Sequence, residues 1–255
     1  MSKKNAFLIH LGASFLVFII LVLMIVYVWY PAPYFDASYR MKWITVIAFV
    51  DLVIGPGLTL VVFKPDKPSL KFDMSVILIL QISALSWGVY NAWSVHPRMN
   101  VFFDNEIFCL DRKEISDSGA DTSLTSSPVP NRLVAILPYP ETAEKKLEYL
   151  TTGDNSLQMV YRLGHLYEKL SKEKALSLGE GQRDFMSVVA QSDLNKQEWK
   201  RFISGYAEVN PNWKYFTFNC FNNKRTAVVD PEKNKVESVI NIELPLGWAL
   251  LRKEN

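Results

Sequence analysis

Three long apolar segments occupy the first 97 residues of the chain, and they constrain its fold more than any other feature. The segments run over about 7–29, 43–63 and 74–95, and the first and third contain no charged residue. A helix needs about 20 consecutive, mostly apolar residues to cross the hydrocarbon core of a bilayer. We therefore predict a membrane domain of three transmembrane helices over 1–97, followed by a second domain over 98–255.

The first apolar segment follows Lys3 and Lys4, as the apolar part of a cleaved signal peptide also does. In a signal peptide that part is about 7 to 15 residues long and ends at a cleavage site with small residues. Here the segment is longer, and Tyr30-Pro31-Ala32-Pro33 follows it. The sequence therefore favours an uncleaved membrane anchor.

Basic residues that flank the apolar segments predict the orientation, because Lys and Arg are retained preferentially on the cytoplasmic side. One side has five of them and the other has three, and the amino terminus is on the richer side. We predict a cytoplasmic amino terminus and an extracytoplasmic domain over 98–255, which is periplasmic in a bacterium with two membranes. The five are Lys3, Lys4, Lys64, Lys67 and Lys71, and the three are Arg40, Lys42 and Arg98.

One acidic residue, Asp51, interrupts the second apolar segment. It lies about 12 Å into the helix, close to the centre of a bilayer, where a carboxylate costs at least about 2.5 to 3.5 kcal/mol. Such an acid either has a function or is a structural acid with hydrogen-bond partners, and the sequence leaves both open. Gln81, Ser83 and Ser86 on the third segment are predicted to lie near it.

The tripeptide Gly55-Pro56-Gly57 follows Asp51 by one turn. Pro56 has no backbone N–H to donate, so we predict that the second helix kinks or breaks there. Polar groups freed by the break would need partners within the bundle. Asp51, Gly55, Pro56, Gly57, Gln81, Ser83 and Ser86 are thus the candidate intramembrane cluster, for packing or for function.

Charge and composition argue against two classes of function. Residues 98–255 hold 21 basic and 22 acidic residues and no basic stripe, so nucleic-acid binding is not expected. Two cysteines and three histidines are too few for the usual metal sites, and no cofactor is expected. The acids Asp104, Glu106 and Asp111 are scattered and are interpreted as solvated, so no catalytic set is assigned.

The second domain is predicted to be a mixed α+β domain. A strand is predicted over 101–110, a polar loop over 111–130 and a helix that begins at Ser192 or Asp193. The stretch from 214 to 242 alternates in strands separated by tight turns, which predicts an antiparallel β meander. Its edge strand either is open to a partner or is covered by the 111–130 loop or the tail.

Cys109 ends the first predicted strand of the second domain, and Cys220 ends the first strand of the meander. A disulfide between them would tie the beginning of this domain to its end. Two separate buried thiols are the alternative.

The stretch DLVIGPGLTLVVFKPDKPSLKFD, residues 51–73, resembles the TfpX/TfpZ family of type IV pilin accessory proteins, also called fimbrial assembly proteins. Tyr30-Pro31-x-Pro33 is similar to the family's entry to its outer loop, and the third segment has its pattern of polar and small residues. His96-Pro97-Arg98 departs from the family's Arg-Pro element. The third segment's matching residues are Gln81, Ala84, Leu85 and Gly88.

The resemblance implies a bacterial inner-membrane protein that helps a cognate major type IV pilin to reach, or be processed by, the pilus assembly machinery. It supplies no established catalytic residues to assign to this chain. The leading hypothesis is a non-enzymatic accessory whose helices engage an apolar pilin stem while the outer domain contacts the pilin head. The alternative is a membrane-bound enzyme acting on pilin or on a lipid-linked substrate.

Overall fold

The computed structural model describes residues 2–31, 34, 44–126, 132–153, 156–179, 184–206, 208–221 and 223–245. The chain forms two compact units. The first, which we call the helical unit, comprises Met1–Pro31 and Phe35–His96. The second, the sheet unit, comprises Ala32–Tyr34 and Pro97–Asn255.

Three apolar helices make up the described part of the helical unit: α1 (Lys3–Trp29), α2 (Ile44–Val62) and α3 (Leu70–Ser94). Each is long and apolar enough to cross a membrane, and each matches a predicted segment to within about one helical turn. Trp43, where the second segment was predicted to begin, lies outside the described residues. Large apolar side chains are exposed on all three helices, among them Ile9, Phe15, Tyr27, Phe49, Val61, Phe72, Ile79 and Trp87.

The prediction was that α2 kinks or breaks at Gly55-Pro56-Gly57. The helix is continuous through these residues, so the break is wrong. A π-helical segment, Phe49–Ile54, comes directly before the proline, and the α-helical segment Gly55–Val62 follows it. The N–H of Gly55 bonds the carbonyl of Val50 and closes the wide turn. Pro56 thus stands in the first turn of an α-helical segment, where a missing N–H is tolerated.

The sheet unit contains one mixed seven-stranded sheet of order β4-β3-β1-β2-β5-β6-β7. The β1/β3 and β2/β5 pairs are parallel and the other neighbours are antiparallel. The predicted meander is present as β5-β6-β7, but it is only part of a mixed sheet. The strands are Met99–Phe103, Glu106–Leu110, Leu133–Ile136, Glu168–Lys169, Lys214–Cys220, Asn223–Asp230 and Lys235–Ile240.

The single strand predicted over 101–110 is a hairpin of β1 and β2. Its two-residue turn is Asp104-Asn105, and both residues have positive φ values, 50° and 60°. Asp and Asn tolerate this left-handed conformation better than other non-glycine residues, and two such residues in a row fit the twist of a tight hairpin.

Six helices connect the described strands. They are α4 (Arg112–Ser118), α5 (Ala143–Thr152), α6 (Ser156–Arg162), α7 (Lys172–Ser177), α8 (Phe185–Val189) and α9 (Asp193–Ile203). The helix predicted from Ser192 or Asp193 is therefore present, with the Ser192 side chain accepting a hydrogen bond from the N–H of Asn195 at 3.0 Å.

The loop predicted over 111–130 is wrong in its first part, which is helix α4. Asp111 accepts a hydrogen bond from the N–H of Glu114 at 2.9 Å, and Glu114 accepts one from the N–H of Asp111 at 2.8 Å. This reciprocal capping box stabilises the first turn, and Ile115 anchors the helix in the core. Thr122–Ser126 forms a 3₁₀ turn, and residues 127–130 lie outside the described residues.

Apolar side chains pack on both faces of the sheet. On one face, a cluster built on β1, β2, β5 and β6 includes both cysteines, which form a disulfide with a Cα–Cα distance of 5.1 Å. On the other face, α4, α5 and α6 cover β1 to β3, while α8 and α9 cover β6 and β7. Representative buried residues are Phe102, Ile107 and Phe216 on the first face and Met99, Phe108, Trp199 and Val228 on the second.

The start of edge strand β7 is tied to the residues that begin β3. Arg132 forms a β-bridge with Lys235, and the N–H of Leu133 donates to the carbonyl of Asn234 at 3.2 Å. The Asn234 side chain donates back to the carbonyl of Leu133 at 2.9 Å. The start of β7, at the edge of the sheet, is therefore covered by the residues that begin β3 and not by the described part of 111–130.

Candidate functional site in the helical unit

Asp51 lies at the centre of a buried set of polar side chains. Asp51 belongs to the π-helical segment of α2, and it is only 6% exposed. One carboxylate oxygen, Oδ1, accepts hydrogen bonds from Ser14 Oγ on α1 at 3.4 Å and from Gln81 Nε2 on α3 at 3.3 Å. All three apolar helices therefore contribute a polar group to one point.

Gly55 makes room for this arrangement. A Cβ atom built at Gly55 would lie 1.8 Å from Nε2 of Gln81, far inside van der Waals contact. Any larger residue would push the Gln81 amide away from Asp51. The glycine is thus required by the close passage of a side chain from α3.

A second polar contact lies two turns further along α2. His10 Nδ1 on α1 is 2.6 Å from Thr59 Oγ1, and the Thr59 hydroxyl also donates to the carbonyl of Gly55 at 3.2 Å. His10 and Ser14 are four residues apart on α1, so they share a face of that helix. We call His10, Ser14, Asp51, Thr59 and Gln81 the polar cluster.

The structure brings together only some of the predicted residues. Asp51, Gly55 and Gln81 meet, and Pro56 is buried one residue further along α2. Gly57 has no atom within 4 Å of its Cβ position.

Ser83 and Ser86 do not belong to the polar cluster, and their predicted proximity to Asp51 is wrong: both are exposed. On an α-helix, residues three, four and seven positions after Gln81 share its face, and these are Ala84, Leu85 and Gly88. Similar depth was the basis of the prediction, but direction around the helix decides contact.

Sequence reasoning missed His10, Ser14 and Thr59. The signal that could have found the first two is their four-residue spacing in an otherwise apolar helix, which places two polar groups on one face. Thr59 follows Asp51 at twice that spacing. Nothing in the sequence pairs the face of α1 with the face of α2.

Aromatic rings fix the other end of the helical unit. The Tyr30 hydroxyl donates to the carbonyl of Ala92 at 2.5 Å. The His96 ring stacks on Trp29 with a centroid distance of 6.1 Å and lies 6.2 Å from the Trp93 ring. These contacts join the carboxyl ends of α1 and α3, and aromatic rings of this kind are typical of the interface between membrane and water.

The acids of the sheet unit that were interpreted as solvated are part-exposed, and they also have structural partners. Asp104 accepts hydrogen bonds from Tyr139 and Ser156, and Asp111 caps α4. Burial raises the pKa of Glu106, although Lys224 at 3.9 Å and the Asn219 amide oppose the rise. In the part of the chain that the structure describes, no three acidic, His or Cys side chains gather as metal ligands would.

Comparison with known proteins identifies the family. A family model described as fimbrial assembly protein FimB matches residues 1–39. Over 109 residues the chain is 33% identical to the fimbrial assembly protein of serogroups C1 and C2 of Dichelobacter nodosus, with 42% of this chain and 83% of that protein covered. The chain belongs to the fimbrial assembly protein family.

Longer members of the fimbrial assembly family are matched over a smaller share. The chain is 34% identical over 109 residues to the serogroup E1 protein and 33% identical to the serogroup I protein, both from Dichelobacter nodosus. The match covers 42% of each, so it spans about two fifths of their length. No solved structure matches the chain.

Proposed function

We propose that this fimbrial assembly family member is a multi-pass inner-membrane protein of the TfpX/TfpZ type that assists type IV pilus assembly without catalysing a reaction. The observation that carries the proposal is the 33% identity over 83% of a relative that is named a fimbrial assembly protein. The homologues support a role in pilus assembly, and the restriction to a non-enzymatic role rests on the architecture.

The surface of the helical unit supports placement in a membrane. Soluble proteins rarely expose contiguous apolar patches larger than a few hundred Å², yet apolar side chains are exposed along all three helices. The polar cluster has the opposite character: all its members except the part-exposed His10 are buried inside the helix bundle, as intramembrane polar residues usually are. Five basic residues near the amino terminus and between α2 and α3 favour a cytoplasmic position for that side.

The partner is proposed to be a type IV pilin or another part of the pilus assembly machinery. An apolar pilin stem would pack on the helices within the bilayer, and the sheet unit would contact the pilin head outside the cytoplasm. We assign these roles from the surfaces of the two units. The helical unit exposes apolar side chains along all three helices, whereas many apolar side chains of the sheet unit pack against the two faces of its sheet.

Deletion of the gene tests the function. We expect fewer surface pili by electron microscopy or a lower pilin level by immunoblot, with both restored by the full-length chain. Unchanged pili and pilin in the deletion strain would reject the proposal. The intact mass of pilin addresses the alternative of an enzyme: an accessory leaves that mass unchanged, whereas a missing covalent group in the deletion strain would favour catalysis.

A further inference from the structure

Asp51 and Gln81 each have one buried oxygen without a hydrogen bond. Gln81 Nε2 donates to Asp51 Oδ1 at 3.3 Å, and Ser14 Oγ donates to the same oxygen at 3.4 Å. Asp51 Oδ2 and Gln81 Oε1 are buried and have no partner among the described residues. Buried polar atoms in native proteins nearly always have partners. The two oxygens therefore indicate a missing hydrogen-bond donor.

The two side chains can supply this donor themselves. The unpaired oxygens belong to the same two planar groups that already meet at the contact between Nε2 and Oδ1. An ionised carboxylate and an amide oxygen are both acceptors only, whereas a protonated carboxyl carries an O–H donor. A proton on Asp51 Oδ2 would therefore allow one hydrogen bond, to Gln81 Oε1, to satisfy both atoms.

The Gln81 amide is held close to α2, as such a pair requires. A Cβ built at Gly55 would lie 1.8 Å from Nε2, 2.4 Å from Cδ and 3.0 Å from Oε1, so the whole amide passes over the glycine. The amide and the Asp51 carboxyl are both nearly closed off from solvent, because the two residues are 7% and 6% exposed. Solvent therefore does not replace the missing donor.

No cation in the described part of the chain neutralises a charged Asp51. Its carboxylate forms no salt bridge there. His10, about one turn before Ser14 on α1, is a titratable group whose charge interacts with Asp51. The Thr59 hydroxyl has a single proton and donates it to the carbonyl of Gly55, so His10 Nδ1, at 2.6 Å, is the donor to Thr59. His10 thus directs this N–H to Thr59 and not to the carboxylate.

Other titratable residues of the three helices lie far from this pair along the chain. Helix α2 has none besides Asp51, and those nearest to Ser14, apart from His10, and to Gln81 are more than two turns away. A charged carboxylate without a cation is costly in an apolar helix bundle, and a neutral acid avoids that cost. The distant residues are Lys4 and Tyr27 on α1 and Asp73 and Tyr90 on α3.

We infer that Asp51 is held as a neutral carboxylic acid, whose Oδ2–H donates to Gln81 Oε1 while Gln81 Nε2 donates to Asp51 Oδ1. This reciprocal acid–amide pair joins α2 to α3, and the Ser14 hydroxyl ties α1 to the same carboxyl. Loss of the proton leaves two buried acceptors without a donor, so the pair is a protonation-dependent lock of the helical unit. The inference concerns contacts within this chain and is independent of the proposed function.

Infrared spectroscopy of the full-length protein in lipid vesicles tests the protonation state. The C=O stretch of a carboxylic acid is separated from the bands of carboxylates and amides. At neutral pH, the spectrum of the wild-type protein minus that of Asp51→Asn should contain one acid band per chain, which moves to lower frequency in heavy water. Glu106 and Glu114, whose pKa values are raised by burial, are present in both proteins and cancel in the difference.

Gln81→Leu and Ser83→Leu form a matched pair of variants on α3, with the amount of protein in the membrane as the control for folding. Leucine at position 81 removes both hydrogen bonds of the pair, so the acid band should move to higher frequency. Ser83 is exposed and lies outside the polar cluster, so Ser83→Leu should leave the band in place. A band that does not move in Gln81→Leu would assign the acid proton to another partner.

The pH dependence of unfolding tests the lock. Asp51→Asn has an N–H in place of the acid O–H, so it offers Gln81 the same donor and acceptor but cannot ionise. We expect similar melting temperatures for this variant and the wild-type protein at neutral pH. At alkaline pH the wild-type protein should melt several degrees lower than the variant, because only its carboxyl loses the donor.

Two outcomes would overturn the inference. Absence of an Asp51-dependent acid band at neutral pH would show that the carboxyl is ionised. A difference in melting temperature between Asp51→Asn and the wild-type protein that stays the same at every pH would show that no proton is lost from the pair. Neither outcome bears on the pili of the deletion strain, so this inference and the proposed function fail separately.

Discussion

Gly55 and Gly57 stand two residues apart in α2, but their surroundings differ. A Cβ at Gly55 would meet the Gln81 amide at 1.8 Å, whereas a Cβ at Gly57 would meet no atom within 4 Å. Alanine at position 55 must displace the far end of Gln81, which breaks its bond to Asp51 and leaves buried polar atoms unpaired. The two positions therefore form a matched pair for testing the polar cluster.

We expect Gly55→Ala to destabilise the protein by about 1 to 3 kcal/mol, the range for leaving a buried polar group unsatisfied. Gly57→Ala should be neutral or stabilising by up to about 1 kcal/mol, because alanine has the higher helix propensity. Thermal unfolding of the detergent-solubilised protein compares the two. Equal melting temperatures for the two variants would contradict the geometry assigned to Gln81.

Asp230 ends β6 and organises the turn into β7. The residue is 1% exposed, and Oδ1 accepts hydrogen bonds from the N–H groups of Glu232 and Lys233 at 3.0 and 3.1 Å. The Lys233 ammonium lies 3.0 Å from Oδ2. Burial by itself would raise the pKa of Asp230, but the hydrogen bonds and charge of Lys233 outweigh it and hold the pKa below the ordinary value of 3.8.

This lowered pKa gives stability a defined pH dependence. A carboxyl whose pKa is lower in the folded protein than in the unfolded chain stabilises the folded protein at pH values above the unfolded pKa. That contribution is lost as the pH falls through the folded pKa. Asp230→Asn keeps an acceptor for the turn but cannot titrate, so it should flatten the acid limb of stability. At neutral pH, Asp230→Ala should lower the free energy of unfolding by about 1 to 2 kcal/mol more than Asp230→Asn does.

Unfolding temperatures measured from neutral pH down to pH values below 3.8 would check both expectations. An Asp230→Asn protein with an unchanged acid limb would assign that limb to other carboxyls. An Asp230→Ala protein as stable as Asp230→Asn would mean that the two backbone N–H groups find other acceptors.

At the scale of elements, the parallel pairing of β2 with β5 decides the position of the disulfide. Phe108 pairs with Asn219, and the next residues along the two strands are Cys109 and Cys220. The cysteines are 111 residues apart in sequence. A crosslink closing a loop of that length contributes about 4 to 5 kcal/mol in the chain-entropy account, and disulfides persist in extracytoplasmic compartments.

We expect the protein from native membranes to run faster on a non-reducing gel than on a reducing one and to resist thiol labelling when unfolded without reductant. The Cys109→Ala/Cys220→Ala double variant should lose about 2 to 5 kcal/mol of stability and the mobility difference. Full labelling of both thiols in the unreduced, unfolded protein would show that the bond does not form in the cell.

Helix α4 shows where sequence reasoning about elements failed. The residues from 111 to 130 are rich in Ser, Asp, Thr, Gly and Pro, and that composition suggested a loop throughout. The sequence also contains the spacing of a capping box, Asp111 with Glu114 three residues later, ahead of the apolar Ile115. The local capping signal determined the structure because it satisfies free N–H groups at the start of the helix.

For the whole molecule, the proposed orientation predicts the outcome of reporter fusions. Alkaline phosphatase fused at the carboxyl terminus should be active, because it folds only outside the cytoplasm. The same enzyme inserted after Lys67, between α2 and α3, should be inactive. A fluorescent protein inserted at that site should fluoresce. Arg40 and Lys42, two of the three basic residues predicted on the extracytoplasmic side, lie outside the described residues. Alkaline phosphatase activity from the insertion after Lys67 would show that the topology is the reverse of the proposed one.

Features that depend on local patterns could be predicted from the sequence. The length of each apolar run decided the three helices, because the bilayer thickness and the helical rise set a minimum that can be counted along the chain. Alternation and turns likewise decided the meander and its antiparallel pairing. Asp51 was identified from the sequence because placing a carboxylate within an apolar membrane-spanning segment costs free energy, whichever helices pack around it.

Which side chains contact one another could be read only from the folded chain. Ser14 and Asp51 are 37 residues apart, and the β2/β5 pair joins residues more than a hundred positions apart. Such contacts depend on the direction in which each helix face points and on how strands from distant parts of the chain are ordered. Neither is encoded by the spacing within one segment, so Ser83 and Ser86 were chosen at the right depth but on the wrong side of α3.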